Sequence, residues 1–269
     1  MNGAQNTRDH NMHAGGGACQ PIRKFPGQEE TGMKKKLQVG LAILVLCAAA
    51  VAGWGVYRYG QISKAIDAMN IGNTTDDSSR AYDRPSIRQM KRDFFMTGYL
   101  YAFFYKSIAD SMGLSGGEKV LDFGCGSGAP DIYIADTLSR SSGSLTCMDI
   151  SPLWQRVARL RLAAYTNVEY ICGDITSLPI KENSYDVILV NYVIHGIDKS
   201  LWPGIGKALA RVLKPGGRLH INEPDEEGHS MSMDEIRVLM TGSGLKEVSL
   251  VRTKILGLVM PRNEGVFMK

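Results

Sequence analysis

The chain has 269 residues, of which 44% are hydrophobic and 22% charged, and its formal net charge at pH 7 is +4. This length allows one large domain with additional segments, and the composition is that of a globular protein. So small a positive charge gives no argument for nucleic-acid binding, and no nucleic-acid partner is expected. The five cysteines have neither metal-ligand nor disulfide-framework spacing, so no metal site and no disulfide network are predicted.

An apolar run close to the N-terminus is long enough to cross a membrane. Residues 1–36 are polar and glycine-rich, which predicts a disordered tail. From Val39 to Tyr57 the sequence is almost wholly apolar (VGLAILVLCAAAVAGWGVY), and a helix of this length spans roughly 28 Å, close to the thickness of a bilayer's hydrocarbon core. We therefore predict one transmembrane helix over residues 37–58, with Trp54 and Tyr57 at the interface.

A cleaved secretory signal over residues 34–52 is the alternative interpretation of the same run. It would combine the basic start Lys34-Lys-Lys36, the apolar core, and Ala50-Val-Ala52 ahead of Gly53 as the cleavage site. After the run, residues 59–84 have the polar composition of a linker, which places the folded domain at residues 85–269.

A glycine-rich turn between a strand and a helix is the main motif of that domain. The run Lys119-Val-Leu-Asp-Phe-Gly-Cys-Gly-Ser-Gly128 begins as a short buried strand and ends in alternate glycines, and residues 129–138 then follow a helical pattern. Such a turn brings bare backbone close to a ligand and directs a helix N-terminus at it. It is typical of a nucleotide-type cofactor site.

Strands and helices alternate after the glycine turn. Strand patterns cover residues 144–149, 168–173, 185–192 and 218–223, and helical patterns cover residues 152–165, 175–178 and 201–213. This alternation predicts a mostly parallel sheet with helices on both faces. A helix at 233–241 and strands at 246–252 and 265–269 then predict an antiparallel C-terminal hairpin. A longer helix, residues 86–112, is predicted ahead of the turn.

Two kinds of cofactor fit the glycine pattern. Gly124, Gly126 and Ala129 match the dinucleotide pattern G-x-G-x-x-G/A, which alone is a weak signal. Asp122 favours a cofactor with an amino group over a dinucleotide. A carboxylate placed there would point into the cleft and repel a pyrophosphate. It would attract an ammonium group by about 1 kcal/mol near a surface. S-adenosylmethionine has an amino group at that end and no phosphate.

The run from Lys119 to Gly128 resembles motif I of the class I S-adenosylmethionine-dependent methyltransferases. The resemblance extends from about Arg84 to the C-terminus and includes the turn Leu213-Lys-Pro-Gly-Gly217. It implies a seven-stranded, mostly parallel Rossmann-like sheet with helices on both faces and an antiparallel C-terminal hairpin, here preceded by one transmembrane helix. The spacing of Asp174 and His195 is most similar to the small-molecule group that includes the ubiquinone and menaquinone methyltransferases.

Ligands of such sheets bind at the carboxyl ends of the strands. Asp149 ends the second strand, where a carboxylate can accept hydrogen bonds from both ribose hydroxyls, although it could instead cap the following helix. The resemblance implies that Asp174 accepts a hydrogen bond from the adenine amino group, that Ile175 packs on the ring, and that Tyr99 lies in a segment covering the cofactor. The predicted cofactor-binding residues are Asp122, Gly124, Cys125, Gly126, Gly128, Asp149, Ile150, Asp174, Ile175, Asn191 and Tyr99.

Two residues are predicted to be catalytic, His195 just after the fourth strand and Glu223 at the end of the fifth. A neutral imidazole at position 195 could accept the proton of a nucleophile that attacks the methyl group. Glu223 could orient the substrate or share the proton. For both residues a purely structural role, in loop packing or loop capping, is the alternative.

The sequence thus predicts methyl transfer from S-adenosylmethionine to a small, lipophilic or membrane-associated acceptor, by an in-line displacement that needs no metal. The lysines at 34–36 favour a cytoplasmic N-terminus, which would export the domain, yet the cofactor is made in the cytosol. We therefore expect a single-pass membrane protein whose catalytic domain faces the cytosol. The alternatives are a nicotinamide-dependent reductase and a non-catalytic, membrane-tethered module that binds the cofactor.

Overall fold

The computed structural model describes residues 27–69, 82–226, 229–254 and 261–269. The predicted tail up to residue 26 and residues 70–81 of the predicted linker lie outside these ranges. The chain divides into two compact units, Met1–Val56 and Tyr57–Lys269.

The first helix differs from the sequence prediction at both ends. Helix α1 covers Gly27–Asp67, so residues 27–36 are helical and not disordered, in keeping with their glutamate and lysine content. The first residues of the predicted linker are helical as well. The transmembrane helix predicted over 37–58 is not supported, since a search of the described residues finds no helix with the length and apolarity to cross a membrane.

The second unit contains the remaining elements in alternating order. Its helices are α2 (Ile87–Phe95), α3 (Ala102–Ser111), α4 (Asp131–Ser139), α5 (Pro152–Arg161), α6 (Trp202–Val212) and α7 (Met233–Gly242). Its strands are β1 (Lys119–Phe123), β2 (Ser144–Asp149), β3 (Val168–Cys172), β4 (Tyr185–Asn191), β5 (Leu213–Glu226), β6 (His229–Ser230), β7 (Lys246–Thr253) and β8 (Arg262–Met268).

Seven of the described strands form one mixed sheet in the order β3-β2-β1-β4-β5-β8-β7. The first five are parallel, and β8 runs antiparallel between β5 and β7. The short strand β6 pairs with the far end of β5. The Rossmann-like sheet with a C-terminal antiparallel pair is therefore confirmed. Its strand order reverses between β1 and β4, where a ligand cleft is expected.

Burial on both faces of the sheet explains why its central strands are apolar throughout. Successive side chains of a strand point to opposite faces. Leu121 packs in one cluster with α6 and α7, whereas Val120 packs in another with α3, α4 and α5. This three-layer arrangement fixes the carboxyl ends of β1, β2, β4 and β5 along one edge.

Four local predictions differ from the structure. The helix predicted over 86–112 is interrupted by a π-helical turn at Met96–Leu100, between α2 and α3. Residues 175–178 form a turn and not a helix. Residues 214–217 belong to the start of β5, where the pairing with β4 is irregular. Strand β8 begins at Arg262, three residues earlier than predicted, because its first residues pair with Pro224 of β5 and Thr253 of β7.

Candidate cofactor-binding and active site

The glycine turn after β1 has a backbone that only glycine adopts easily. Gly124, Gly126 and Gly128 have φ angles of 77°, 53° and 74°, in the left-handed region. A Cβ atom on Gly124 would lie 2.5 Å from a methyl carbon of Val193, whereas one on Gly126 would meet no described atom within 4 Å. The turn therefore packs closely against Val193 at Gly124, whereas space for a ligand remains at Gly126.

Asp149, at the end of β2, holds the middle of the glycine turn. Its Oδ2 accepts a hydrogen bond of 2.8 Å from the Gly126 N–H, and its Oδ1 accepts one of 2.8 Å from the Ser151 N–H. The cap of α5 is Ser151, not Asp149. Each carboxylate oxygen keeps a second lone pair for a ligand hydroxyl. The next side chain, Ile150, is 57% exposed and offers an apolar surface beside the carboxylate.

Asp122 lies deeper than the sequence suggested. Its side chain is 1% exposed, and its Oδ1 has no hydrogen-bond partner among the described residues. Burial, followed by the neighbouring carboxyl of Asp131, raises the pKa of Asp122 well above its usual range. The expectation of an ionised carboxylate turned into the cleft is therefore corrected to a buried acid pair. Its unpartnered oxygen still fits a ligand that donates hydrogen bonds.

Two thiols lie beside this acid pair. Cys147 donates a hydrogen bond of 3.3 Å from Sγ to Oδ2 of Asp131, and the ligand atoms of Cys125, Asp131 and Cys147 all lie within 4.8 Å of one another. A hydrogen bond with Cys147 lowers the pKa of Cys125. Burial and the nearby carboxyls outweigh this effect and raise the pKa to about 12. Without a bound ion, both thiols therefore keep their protons at neutral pH.

The other predicted cofactor residues lie near the same edge of the sheet. Asp174 follows β3 and is exposed, and its Oδ1 accepts a hydrogen bond of 2.8 Å from the Thr176 N–H. Ile175 is buried at 1% exposure. Asn191 ends β4 half-buried, and within the described ranges its Oδ1 has no partner. Contact of these three residues with a cofactor stays a prediction.

Arg161 ties the glycine turn to the segment before β1. Its Nε donates to the Ser127 carbonyl at 2.7 Å, and its Nη2 donates to the Ser127 hydroxyl at 3.2 Å and the Thr97 hydroxyl at 2.7 Å. Its guanidinium lies 4.2 Å from the ring centre of Phe94. This buried arginine therefore holds residues 94–97 beside the glycine turn. The ring of Tyr99 contacts Phe95 and Tyr59, and its predicted contact with the cofactor is not tested.

His195 and Glu223 form a hydrogen-bonded pair. The Nδ1 of His195 lies 2.7 Å from Oε2 of Glu223. Glu223 has no exposed surface, and its Oε1 also accepts hydrogen bonds from the N–H groups of Val193 at 3.2 Å and Ile194 at 2.7 Å. If Glu223 is a carboxylate it can only accept, so Nδ1 is the donor, and in the neutral tautomer of the ring the lone pair lies on Nε2. These contacts suit Glu223 to orient the imidazole, and its predicted part in catalysis stays a prediction.

A strained tyrosine adjoins this pair. Tyr192 has a φ of 58°, which is uncommon for a bulky residue and typical of functional sites. Its ring lies edge-on to His195 at 6.4 Å and to Phe104 at 6.2 Å, measured between ring centres. An aromatic wall therefore extends from the imidazole towards α3.

The predicted site residues did not include Tyr192, Phe104, Asp131 and Arg161. No motif includes them, because they approach the site from α3, α4, α5 and the end of β4 only in the folded chain. The charge of Arg161 inside an amphipathic helix was a detectable signal, since α5 buries this arginine with its apolar residues.

Comparison with known proteins agrees with this geometry. Residues 120–217 match the family model described as a methyltransferase domain. The chain is 29% identical over 160 residues to a demethylmenaquinone methyltransferase of Tropheryma whipplei strain Twist, covering 59% of this chain and 63% of that protein. It is 32% identical over 112 residues to the enzyme of that name from Staphylococcus aureus strain MRSA252, covering 42% and 45%. The matches thus span less than two thirds of these curated relatives.

Solved structures show the same fold. A S-adenosylmethionine-dependent methyltransferase from Aquifex aeolicus is 19% identical, with a TM-score of 0.54, over 78% of this chain and 97% of its own. The trans-methyltransferase CalH, solved in complex with SAH, is 19% identical, with a TM-score of 0.55, over 68% and 62%. Residues 120–217 of this chain thus match a methyltransferase domain, and the open glycine turn, Asp149 and the unpartnered oxygen of Asp122 fit S-adenosylmethionine as the cofactor.

Proposed function

We propose that this protein transfers a methyl group from S-adenosylmethionine to a small, lipophilic acceptor, with His195 as the general base. The observation that carries the proposal is the 2.7 Å hydrogen bond between Nδ1 of His195 and the fully buried Glu223. A histidine that only filled space would not require a buried carboxylate, which is unfavourable unless it is well hydrogen-bonded. This carboxylate also accepts three backbone hydrogen bonds, from the N–H groups of Val193, Ile194 and His195.

We propose one role for each part of the site. When bound, the cofactor supplies an electrophilic methyl carbon. Asp149 and the glycine turn would hold its nucleoside, and the acid pair at Asp122 would receive its amino group. Glu223 keeps the Nδ1 hydrogen in place, so that Nε2 of His195 accepts the proton of the attacking nucleophile. The resulting imidazolium is stabilised by the carboxylate beside it.

Three observations support a lipophilic acceptor. The wall beside His195 consists of the rings of Tyr192 and Phe104. The segment before β1 exposes the apolar residues Leu100 and Phe103 by 52% and 54%. Two of the curated relatives are demethylmenaquinone methyltransferases by name, and the substrate that this name implies is lipophilic.

A product screen tests the proposed activity. The full chain is incubated with methyl-labelled S-adenosylmethionine and a lipid extract, and methylated products are identified by mass spectrometry. We expect His195→Ala to bind the cofactor like the wild type and to lose about a hundredfold or more in turnover. Glu223→Gln should also lose turnover, whereas Glu226→Gln, a matched change on the same strand, should not.

Two results would contradict the proposal. Full turnover by His195→Ala would remove the histidine from the proton step. A protein that binds the cofactor but labels no component of any extract would instead be a non-catalytic binding module.

We further propose that the chain associates with membranes through the first part of α1, with its catalytic domain on the cytosolic side. Large apolar side chains of this helix are exposed, including Leu41 by 63% and Leu44 by 69%. Contact with lipid would bury them. Flotation of the full chain with phospholipid vesicles tests this proposal. The double variant Leu41→Asp and Leu44→Asp should stay with the soluble fraction, and equal flotation of both proteins would contradict it.

A further inference from the structure

A buried arginine stands at the far end of the aromatic wall. Arg262 is the first residue of β8 and pairs with Pro224, the residue that follows Glu223 on β5. Only 5% of it is exposed. The register therefore brings a cation to the carboxyl end of β5, next to the residue that orients His195.

The guanidinium of Arg262 pairs with one carboxylate and keeps one donor unpartnered. Its Nε and Nη2 both contact one carboxylate oxygen of Glu264. Its plane lies over the ring of Phe104, with 4.8 Å between the central carbon and the ring centre. Its Nη1 is buried and has no hydrogen-bond partner in the described part of the chain. A buried donor of this kind is unfavourable unless water or a ligand satisfies it.

Phe104 connects this guanidinium to the proposed base. Its ring faces the guanidinium of Arg262. The ring centre of Phe104 lies 6.2 Å from that of Tyr192, and the ring centre of Tyr192 lies 6.4 Å from that of His195. A planar molecule lying against Tyr192 and Phe104 would thus have His195 near one end and Arg262 near the other. Guanidinium groups are well suited to recognising oxygen anions, because their donors are fixed in a plane.

We propose that Arg262 binds an oxygen anion of the acceptor, so that the preferred acceptor is a planar, conjugated molecule with a negatively charged oxygen group distant from the methylated atom. This inference rests on the proposed function, because it takes the region beside His195 as the acceptor site. It adds a charge requirement that an apolar wall alone would not impose.

The test compares two probes of nearly equal shape, 2-naphthoate and 2-naphthamide. Their binding to the full chain saturated with S-adenosylhomocysteine is measured by calorimetry and by fluorescence titration. We expect the wild type to bind the naphthoate about tenfold or more tightly than the naphthamide, as a charge-assisted hydrogen bond predicts. The variant Arg262→Met should lose this preference, and Arg262→Lys should retain part of it.

Glu264→Gln provides an independent measurement. It removes the carboxylate that competes for the guanidinium, so naphthoate binding should tighten while naphthamide binding stays unchanged. If the arginine serves only as the structural partner of Glu264, this variant will unfold at a lower temperature and show no gain for either probe.

Several outcomes would overturn the inference, namely equal binding of the two probes by the wild type, failure of both to bind, or a preference that persists in Arg262→Met. These results are separable from failure of the proposed function, which is read from the product screen and the His195 variant. A protein without methyl transfer could still show the charge preference, and an active enzyme could lack it.

Discussion

The contact between the glycine turn and Val193 can be tested by adding one methyl group at Gly124. An alanine there would have its Cβ 2.5 Å from Cγ2 and 2.7 Å from Cγ1 of Val193, and would keep the left-handed φ of 77°. The backbone conformation costs a non-glycine residue about 1–2 kcal/mol. Overpacking of this severity costs about 1–3 kcal/mol more. We therefore expect Gly124→Ala to lower the free energy of unfolding by about 2–5 kcal/mol.

Gly126→Ala is the matched control for this prediction. It has a similar φ of 53°, but its Cβ would meet no atom of the described structure within 4 Å. It should therefore lose only the backbone contribution, about 1–2 kcal/mol. The double variant Gly124→Ala with Val193→Ala removes the clashing methyl groups and should recover part of the loss that Gly124→Ala alone causes.

Urea unfolding of the four proteins measures these differences directly. Cofactor affinity, measured by calorimetry, should fall in Gly124→Ala because the displaced turn no longer meets Asp149. The reasoning is refuted if Gly124→Ala is no less stable than Gly126→Ala, or if removing the Val193 methyl groups restores nothing.

Two further predictions concern buried charges. Arg161→Met removes the hydrogen bonds to Ser127 and Thr97, so it should lower the free energy of unfolding by about 2–4 kcal/mol and also weaken cofactor binding. Arg159 is an exposed cation over a tyrosine ring, and Arg159→Met should change the free energy of unfolding by less than about 1 kcal/mol. Equal effects of the two variants in urea unfolding would contradict this prediction. Burial raises the pKa of Asp131 from 3.8 to about 6, so the folded protein keeps a proton there that the unfolded chain releases, and stability should fall as pH rises from about 4 to 6. Asparagine cannot titrate, so Asp131→Asn should avoid up to about 3 kcal/mol of this loss of stability. Urea unfolding of the wild type and the variant at pH 4 and pH 7.5 measures it. A stability difference between wild type and variant that is the same at both pH values would refute the raised pKa of Asp131.

The parts of the fold that repeat a local pattern could be predicted from the sequence. Strand β1, the glycine turn and the ends of β2 and β4 follow from short apolar runs and from glycines whose conformation other residues avoid. The break at Met96–Leu100 could not be predicted, because the flanking residues favour a helix and the π turn depends on tertiary contacts such as that between Thr97 and Arg161.

The electrostatics of the site depend on contacts between distant segments. Asp122 was expected to be ionised, since nothing in its neighbourhood along the chain suggests otherwise. Asp131, the first residue of α4, folds back beside it, and desolvation then favours the protonated form. Arg262 is similarly invisible in the sequence, because its position beside Phe104 is fixed by the pairing of β8 with β5.

Three successive residues after β4 link the cofactor turn to the proposed base. The methyl groups of Val193 fill the space that a side chain at Gly124 would need, and the N–H groups of Val193 and Ile194 hold the carboxylate of Glu223. That carboxylate in turn orients His195. Because all three contacts are made by one short segment, a shift of the glycine turn would move the imidazole as well. In the proposed function, the same packing would therefore align the methyl donor and the proton acceptor, as an in-line displacement requires.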